Sequence, residues 1–170
     1  MLGLHILLAV GLAAFAGAAN PLGVAAAFVV IYVALRLARQ LLGIERYLRR
    51  LEIGVAFAAW FIGEVFRATL DVARIVLARE VAPQPAVIAL RLRRPGDRFA
   101  TVLGALLTLT PGTMALDYRP QTGVMYIHAL DAGNAEGVEA GVREIERRLL
   151  RWLDAGNATA AERTHGGTDT

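Results

Sequence analysis

The stretch that decides the fold is LGLHILLAVGLAAFAGAANPLGVAAAFVVIYVAL, residues 2–35, in which no Asp, Glu, Lys or Arg occurs. It is too long for one transmembrane helix of about 20 residues and short for two. Asn20-Pro21 interrupts it, and proline favours a turn or a helix start while disfavouring helix at the residue before it. We therefore expect a transmembrane hairpin of two helices, 2–18 and 22–42, which together form a first region over residues 1–42.

Small residues recur four apart on both expected helices, at Ala9, Ala13, Gly17, Gly23 and Ala27. Such stripes let helix backbones approach closely in lipid, although an alanine-rich composition also produces them by chance. The second helix reaches full length if the arginines at its end extend to the lipid headgroups. No Lys or Arg precedes the apolar run, which disfavours a cleaved signal peptide.

The composition agrees with a membrane protein and closes most routes to catalysis. Apolar residues make up 56% of the 170 residues, more than a small soluble domain usually buries. The chain has no Cys, Lys or Ser, which excludes thiol, Schiff-base and serine chemistry. Its histidines, His5, His128 and His165, lack the spacing of metal ligands. We expect no catalytic residue, no cofactor and no metal.

The basic residues, all of them arginine, are concentrated after the hairpin. Eight arginines and four acidic residues lie between positions 36 and 79, whereas ten arginines and eleven acidic residues follow. A nucleic-acid-binding domain would carry its basic stripe in the folded domain, so we expect no nucleic acid partner. The arginines at 36, 39, 46, 49 and 50 place the end of the second helix in the cytoplasm.

Residues 51–78, LEIGVAFAAWFIGEVFRATLDVARIVLA, form a third apolar segment, in a region over 43–82 that begins with a basic stretch. The charge-free core of the segment, Ile53–Gly63, spans about 16 Å as a helix, roughly half of a hydrocarbon core. Arginines flank both ends. We expect an amphipathic or half-spanning helix at the cytoplasmic interface, with a complete third crossing as the alternative.

Four charged residues, Glu64, Arg67, Asp71 and Arg74, follow that core at spacings of three, four and three, so they share one helical face. One interpretation is an ion-pair row at a contact between subunits, or part of a cation path. The other is a solvated face whose ion pairs are each worth about 0.2–0.5 kcal/mol. The pattern favours the solvated face or the structural contact.

The rest of the chain predicts a small cytoplasmic α+β domain over 83–153, in the order β-α-β-β-α, and a disordered tail over 154–170. The expected elements are a strand at Ala86–Arg93, a helix at 98–110 with Asp97 as its N-cap, a hairpin of Thr113–Tyr118 and Val124–Leu130, and a last helix capped by Asn134. The helix at 98–110 is apolar nearly all round, which predicts burial on more than one side. About 70 residues make a thin core, which points to docking on partners.

Three stretches resemble one known family. LLTLTPGTMALDY (106–118), MYIHALDA (125–132) and ERRLL (146–150) are similar to the E subunit of the multisubunit Mrp-type sodium/proton antiporters. The upstream helix with Trp60, Glu64 and VARIVL (72–77) stands in the same order. The resemblance extends from the N-terminal hairpin to about Leu153.

The resemblance implies a non-catalytic accessory subunit of a sodium/proton antiporter that supports assembly and transport. Such a subunit is multi-pass in the bacterial inner membrane and has its C-terminal domain in the cytoplasm. Its partners would be large antiporter-like subunits, small membrane subunits and the lipid bilayer. The motif positions it carries over, as structural or subunit-contact candidates beside the charged face of 64–74, are Thr108, Thr110, Pro111, Gly112, Thr113 and Asp117.

The chemistry of these positions agrees with a structural role. Pro111 and Gly112 end an apolar helix, and the hydroxyls of Thr110 and Thr113 can satisfy backbone groups freed there. Asp117 is expected to pair with an arginine nearby. His128 is expected to be a half-exposed strand residue.

Two alternatives stay open. One is a self-contained, membrane-anchored regulatory or ligand-binding module, which requires 84–154 to fold alone around an open pocket. The other is a carboxylate or threonine enzyme, which requires two of Asp97, Asp117 and Asp131 to converge in a cleft.

Overall fold

The computed structural model describes residues 1–39, 43–78, 84–131 and 135–155. It contains the helices α1 (Leu2–Phe15), α2 (Pro21–Leu37), α3 (Glu45–Leu77), α4 (Asp97–Leu109) and α5 (Ala135–Asp154), and the strands β1 (Ala86–Arg91), β2 (Thr113–Arg119) and β3 (Val124–Ala129). The chain divides into two compact units, residues 1–53 with the chain from 153 onward, and residues 54–152. The expected Asn134 cap and most of the expected tail lie outside the described residues.

In the first unit, α1 and α2 pack through alanines and expose their large side chains. Ala9, Ala13 and Ala27 are buried together, whereas Phe15 is 93% and Leu22 81% exposed. Small residues inside and large apolar residues outside are typical of helices whose solvent is lipid. The small-residue stripe therefore contributes to the packing of the hairpin.

The hairpin turn forms where Asn20-Pro21 predicts it. The Asn20 side-chain oxygen accepts a hydrogen bond from the Gly23 N–H (2.8 Å), and Pro21 is the first residue of α2, the position that proline prefers. Both helices are shorter than expected. α1 ends at Phe15, and Gly17 after it adopts a positive φ of 67°. α2 ends at Leu37, and positions 40–42 of its expected range lie outside the described residues.

A buried histidine joins the three helices of the first unit. The His5 ring is 2% exposed and stacks on Phe28, with ring centroids 3.9 Å apart. Its Nδ1 is hydrogen-bonded to the Tyr47 hydroxyl (2.5 Å) and its Nε2 to the Phe28 carbonyl (3.1 Å). Both ring nitrogens thus have the partners that a buried polar group requires.

α3 is a single helix of 33 residues that begins at Glu45, six residues before the expected start. Arg46, Arg49 and Arg50 are helical, since Arg, Leu and Glu are all good helix formers. Among the described residues, α3 is the helix long and apolar enough to cross a membrane, and α1 and α2 are shorter apolar helices.

The second unit is built on a three-stranded antiparallel sheet in the order β1-β3-β2. The β2–β3 hairpin forms as expected, and β3 also pairs with β1, so Met125 lies between Leu90 and Tyr118. A register shift separates Ala115 from Asp117 on β2. Helices before, within and after the three strands confirm the helical N-terminal part and the β-α-β-β-α order of the domain.

α4 packs on the sheet through one face, in which Leu103 and Leu107 are buried and Gly104 lies against Ala115. Its other face, with Val102 and Leu109, is exposed, so burial on more than one side of α4 is not found among the described residues.

Asp97 is the first residue of α4 and not its N-cap, because the capping position is taken by Gly96. The Gly96 N–H donates to the Tyr118 hydroxyl (2.9 Å).

α5 is amphipathic, with Val142, Ile145 and Leu149 buried. Two ion pairs join residues four apart along it, Glu139 with Arg143 (3.7 Å) and Glu144 with Arg148 (2.5 Å).

Candidate functional site

Most of the predicted contact residues lie around one cleft within the second unit, hereafter the central cleft. It has a volume of about 300 Å³ and is bordered by α3, the turn between α4 and β2, the end of β3, and α5. The predicted residues that line it are Glu64, Asp71, Thr110, Pro111, Gly112 and Thr113. The structure therefore brings the charged face of α3 and the TPGT turn (110–113) to one place.

The turn between α4 and β2 forms one wall of the central cleft. α4 ends at Leu109, directly before Thr110 and Pro111, and Gly112 adopts a φ of +89°. A Cβ on Gly112 would lie 3.2 Å from Cγ2 of Val72 on α3. Glycine is therefore required here both for the backbone conformation and for the close approach of α3.

Threonine hydroxyls donate hydrogen bonds to the free carbonyls at the end of α4. Thr110 Oγ1 donates to the Leu106 carbonyl (3.0 Å), and Thr113 Oγ1 donates to the Leu107 carbonyl (2.8 Å). Both carbonyls belong to the last turn of the helix, which lacks helical partners. The expected satisfaction of freed backbone groups by these hydroxyls is present. Thr108 lies just before the turn, and its hydroxyl donates to the Gly104 carbonyl (2.9 Å).

The four charged residues at positions 64–74 of α3 form two separate ion pairs and not a continuous row. Glu64 pairs with Arg67 (2.9 Å) and Asp71 with Arg74 (2.7 Å), each across three residues. Both arginine side chains are mostly exposed, so within this chain the pairs are solvated and each is worth little.

A third carboxylate, Asp131 at the end of β3, also lines the central cleft and accepts a hydrogen bond from the Gln84 N–H (3.3 Å). In the described ranges, no group of three His, Cys, Asp or Glu residues is placed to hold a metal ion.

Asp97 and Asp117 line a different open cleft. Both are exposed, so they lack the burial that tunes catalytic carboxylates. In the part of the chain that the structure describes, the Asp117 carboxylate accepts a hydrogen bond from the Tyr118 N–H (2.8 Å) and forms no ion pair. The expected pairing of Asp117 with an arginine is thus not found among the described residues, where the Arg119 guanidinium lies over the Tyr126 ring, 5.2 Å from its centroid.

His128 is half-buried in the central strand, as expected. It stands in register between Val87 on β1 and Met114 on β2.

The contact between α3 and α5 was not foreseen. Trp152 stacks on Phe57, with ring centroids 6.1 Å apart, and the Arg148 guanidinium lies 4.3 Å from the centroid of the Trp60 ring. A Cβ on Gly54 would lie 2.6 Å from the Trp152 indole nitrogen. The aromatic spacing on α3 was the available signal for this contact.

A buried carboxylate fastens α5 to the end of β1. Glu146 has no exposed surface, and its two oxygens accept hydrogen bonds from the Arg93 N–H (2.6 Å) and from the Arg143 guanidinium (2.8 Å). Its position four residues after Val142 and three before Leu149, both buried, places it on the buried face of α5. On the same helix, the hydrogen bond from Arg148 holds the pKa of the half-buried Glu144 carboxyl below its usual range.

Comparisons with known proteins agree with the resemblance. The model of a family described as Na⁺/H⁺ ion antiporter subunit matches residues 5–153. The E subunit of the Na⁺/H⁺ antiporter of Alkalihalophilus pseudofirmus is 31% identical over 113 residues, which cover 66% of this chain and 72% of that protein. The E subunit of the Na⁺/H⁺ antiporter of Bacillus subtilis is 32% identical over 91 residues, 54% of this chain and 58% of that protein.

A chain in the solved structure of the Mrp complex from Dietzia sp. also matches, with a TM-score of 0.45 and 24% identity, over 57% of this chain and 92% of that chain. The family model covers most of the chain, from the N-terminal hairpin to the end of α5. The chain therefore belongs to the family of Na⁺/H⁺ antiporter E subunits.

Proposed function

We propose that this chain is a non-catalytic accessory subunit of a multisubunit Na⁺/H⁺ antiporter, which supports the assembly and the transport activity of the complex. The observation that carries the proposal is an exposed apolar stripe on α3, consisting of Val55, Ile62, Phe66 and Leu70. Their spacings of seven, four and four place them on one helical face. Such a face needs lipid or a partner subunit to cover it.

The α1–α2 hairpin is the proposed membrane anchor. Its helices, of 14 and 17 residues, are about 21 and 26 Å long, somewhat shorter than a hydrocarbon core of about 30 Å. Local thinning of the bilayer or neighbouring subunits accommodates a mismatch of this size. The exposed large apolar side chains of the hairpin support this placement.

We place α3 along the cytoplasmic interface, although its length would also permit a crossing. Contacts with the domain run along it from Gly54, next to Trp152, to Val72, next to Gly112, a length of about 27 Å. A helix that lies beside a charged domain over that distance does not have lipid on all its sides. Its free stripe then faces lipid headgroups or another subunit.

The domain over 83–153 is placed in the cytoplasm, together with the N-terminus, because the arginines that follow α2 mark that side. The absence of cysteine makes this placement directly testable. Thr101→Cys, at an exposed position on α4, is expected to react with a membrane-impermeant maleimide only after the cells are opened. Ala19→Cys, in the hairpin turn, is expected to react in intact cells.

We propose a structural role for the central cleft. The hydroxyls of Thr110 and Thr113 bind the last carbonyls of α4, and Gly112 lets the turn approach α3. The ion pairs of Glu64 and Asp71 border the cleft. α4 also carries the exposed face that contains Val102 and Leu109. This part of the domain is the proposed contact with other subunits.

The test is co-purification of the tagged chain from membranes in mild detergent. We expect several very hydrophobic subunits of antiporter type in fixed ratio with the wild-type chain. The double substitution Ile62→Asn and Phe66→Asn should release them.

The matched control is Val87→Asn, at an apolar position on β1 that is 57% exposed, against 70% for Ile62 and 67% for Phe66, and it should retain the partners. Recovery of the wild-type chain alone and monodisperse would overturn the proposal and favour the self-contained ligand-binding module.

A further inference from the structure

Two adjoining clefts in the first unit share a pair of arginines. The first, of about 430 Å³, lies between the end of α2 and the first turns of α3 and is lined by Arg36, Arg39, Glu45, Leu48, Arg49 and Glu52. The second, of about 440 Å³, is lined by Val33, Arg36, Leu37 and Arg39. One cleft is thus mostly charged, and its neighbour has an apolar side.

Among the described residues, the ion pairs of the first cleft leave it with a positive excess. Arg36 is paired with Glu52, whose carboxylate also accepts a hydrogen bond from the Tyr32 hydroxyl (2.7 Å). In the described part of the chain, Arg39 and Arg49 form no ion pair, and both are exposed. Glu45 is the remaining acid, so the cleft keeps a positive excess. Arg50, at the next position of α3, is also exposed but is not among the residues that line the cleft.

The second cleft continues this positive site onto apolar surface. Val33 is 48% and Leu37 83% exposed, and Val29 and Val30 extend the same exposed surface up α2. A ligand that fits both clefts is therefore an amphiphile, with an anionic group at the arginines and a hydrocarbon chain along α2.

We propose that these clefts bind an anionic phospholipid, with its phosphodiester between Arg39 and Arg49 and an acyl chain along Val33 and Leu37. Basic pockets beside membrane helices at the cytoplasmic surface bind such headgroups. The inference rests on the proposed placement of the hairpin in the membrane. Free phosphate shares the headgroup's charge but has no hydrocarbon chain to contact the apolar cleft.

The experiment uses the assembled complex in native membranes and a photoactivatable phosphatidylglycerol. Mass spectrometry then measures how much lipid becomes attached to this chain. Each arginine near a membrane surface contributes about a fivefold change in affinity, so Arg39→Gln and Arg49→Gln should each reduce attachment about fivefold. Arg49→Lys should retain it, and Arg50→Gln, which removes the same charge one residue away, should leave it unchanged.

Competitors separate the possible ligands. Unlabelled phosphatidylglycerol should compete, whereas phosphatidylcholine and inorganic phosphate should not. Equal loss in Arg49→Gln and Arg50→Gln would show a general charge effect and overturn the site. Competition by inorganic phosphate, without competition by phosphatidylglycerol, would overturn the assignment of a lipid as the ligand.

The same membranes also report on the proposed function, because partner subunits are either recovered with the chain or not. Recovery of the partners without selective lipid attachment would overturn this inference alone. Failure to recover the partners from wild-type membranes would overturn the proposed function instead.

Discussion

Replacing the buried carboxylate of α5 should destabilise the second unit far more than replacing an exposed carboxylate with the same arginine partner. Glu146 and Glu139 both pair with Arg143, at 2.8 and 3.7 Å, but the Glu146 side chain is fully buried and that of Glu139 is 51% exposed. Glu146→Gln weakens the hydrogen bond from the Arg93 N–H and turns the one from Arg143 into a contact between donors.

Hydrogen bonds to a charged group are worth about 1.5–3 kcal/mol and neutral ones about 0.5–1.5 kcal/mol. Burying a neutral amide also avoids part of the desolvation cost of a carboxylate. We therefore expect Glu146→Gln to reduce the free energy of unfolding by about 2 kcal/mol. Glu139→Gln should reduce it by at most about 0.5 kcal/mol.

The assay is urea unfolding of the full chain in detergent, followed by tryptophan fluorescence. The chain has two tryptophans, and Trp60 and Trp152 both lie at the contact between α3 and α5, so the signal reports on the second unit. A loss of about 2 kcal/mol lowers the urea midpoint by about 1 M. Equal midpoints for Glu146→Gln and Glu139→Gln would refute the assignment of Glu146 as the fastening group.

The remaining predictions use the same urea assay. Gly54→Ala should lower the midpoint and shift the tryptophan emission, because its Cβ would meet Trp152 at 2.6 Å. Gly63→Ala, which meets nothing within 4 Å, should instead raise the free energy of unfolding by up to about 1 kcal/mol of helix propensity. Thr113→Ala should cost about 1 kcal/mol, because it frees a carbonyl at the end of α4. Glu144→Gln should reduce the dependence of the urea midpoint on pH under acidic conditions. The lowered pKa of Glu144 contributes stability above its ordinary pKa of 4.5, and this contribution is lost as the pH falls through the lowered value. The urea midpoints of wild type and this variant should differ at neutral pH and approach each other as the pH falls below 4.5, and curves that stay parallel throughout would contradict this.

Local signals were enough to predict most of the elements. The Asn20-Pro21 break and the β2–β3 hairpin each depend on neighbours within a few positions of the chain. The TPGT turn was predicted for the same reason, since its hydroxyls bind carbonyls of the preceding turn.

What could not be predicted depends on partners far away in the chain. The arginines before residue 51 were taken for a basic stretch, yet they are helical, with Glu52 paired to Arg36 on α2. His5 is buried because Phe28 and Tyr47 supply its partners. Glutamate is usually exposed, and the burial of Glu146 depends on two groups that bind its oxygens: the Arg143 guanidinium and the Arg93 N–H, which lies far away in the chain.

The alanine-centred hairpin has a consequence for how the chain tolerates sequence change. In the first unit the crowded positions are the smallest residues, so enlarging Ala9 or Ala13 should be harmful while exchanges among outward Leu, Val and Phe should be silent. In the second unit the rule reverses, since truncating Leu103 or Ile127 leaves a void. In a scan of substitutions along the chain, the kind of change that is harmful should therefore switch within α3, near the boundary at residues 53 and 54.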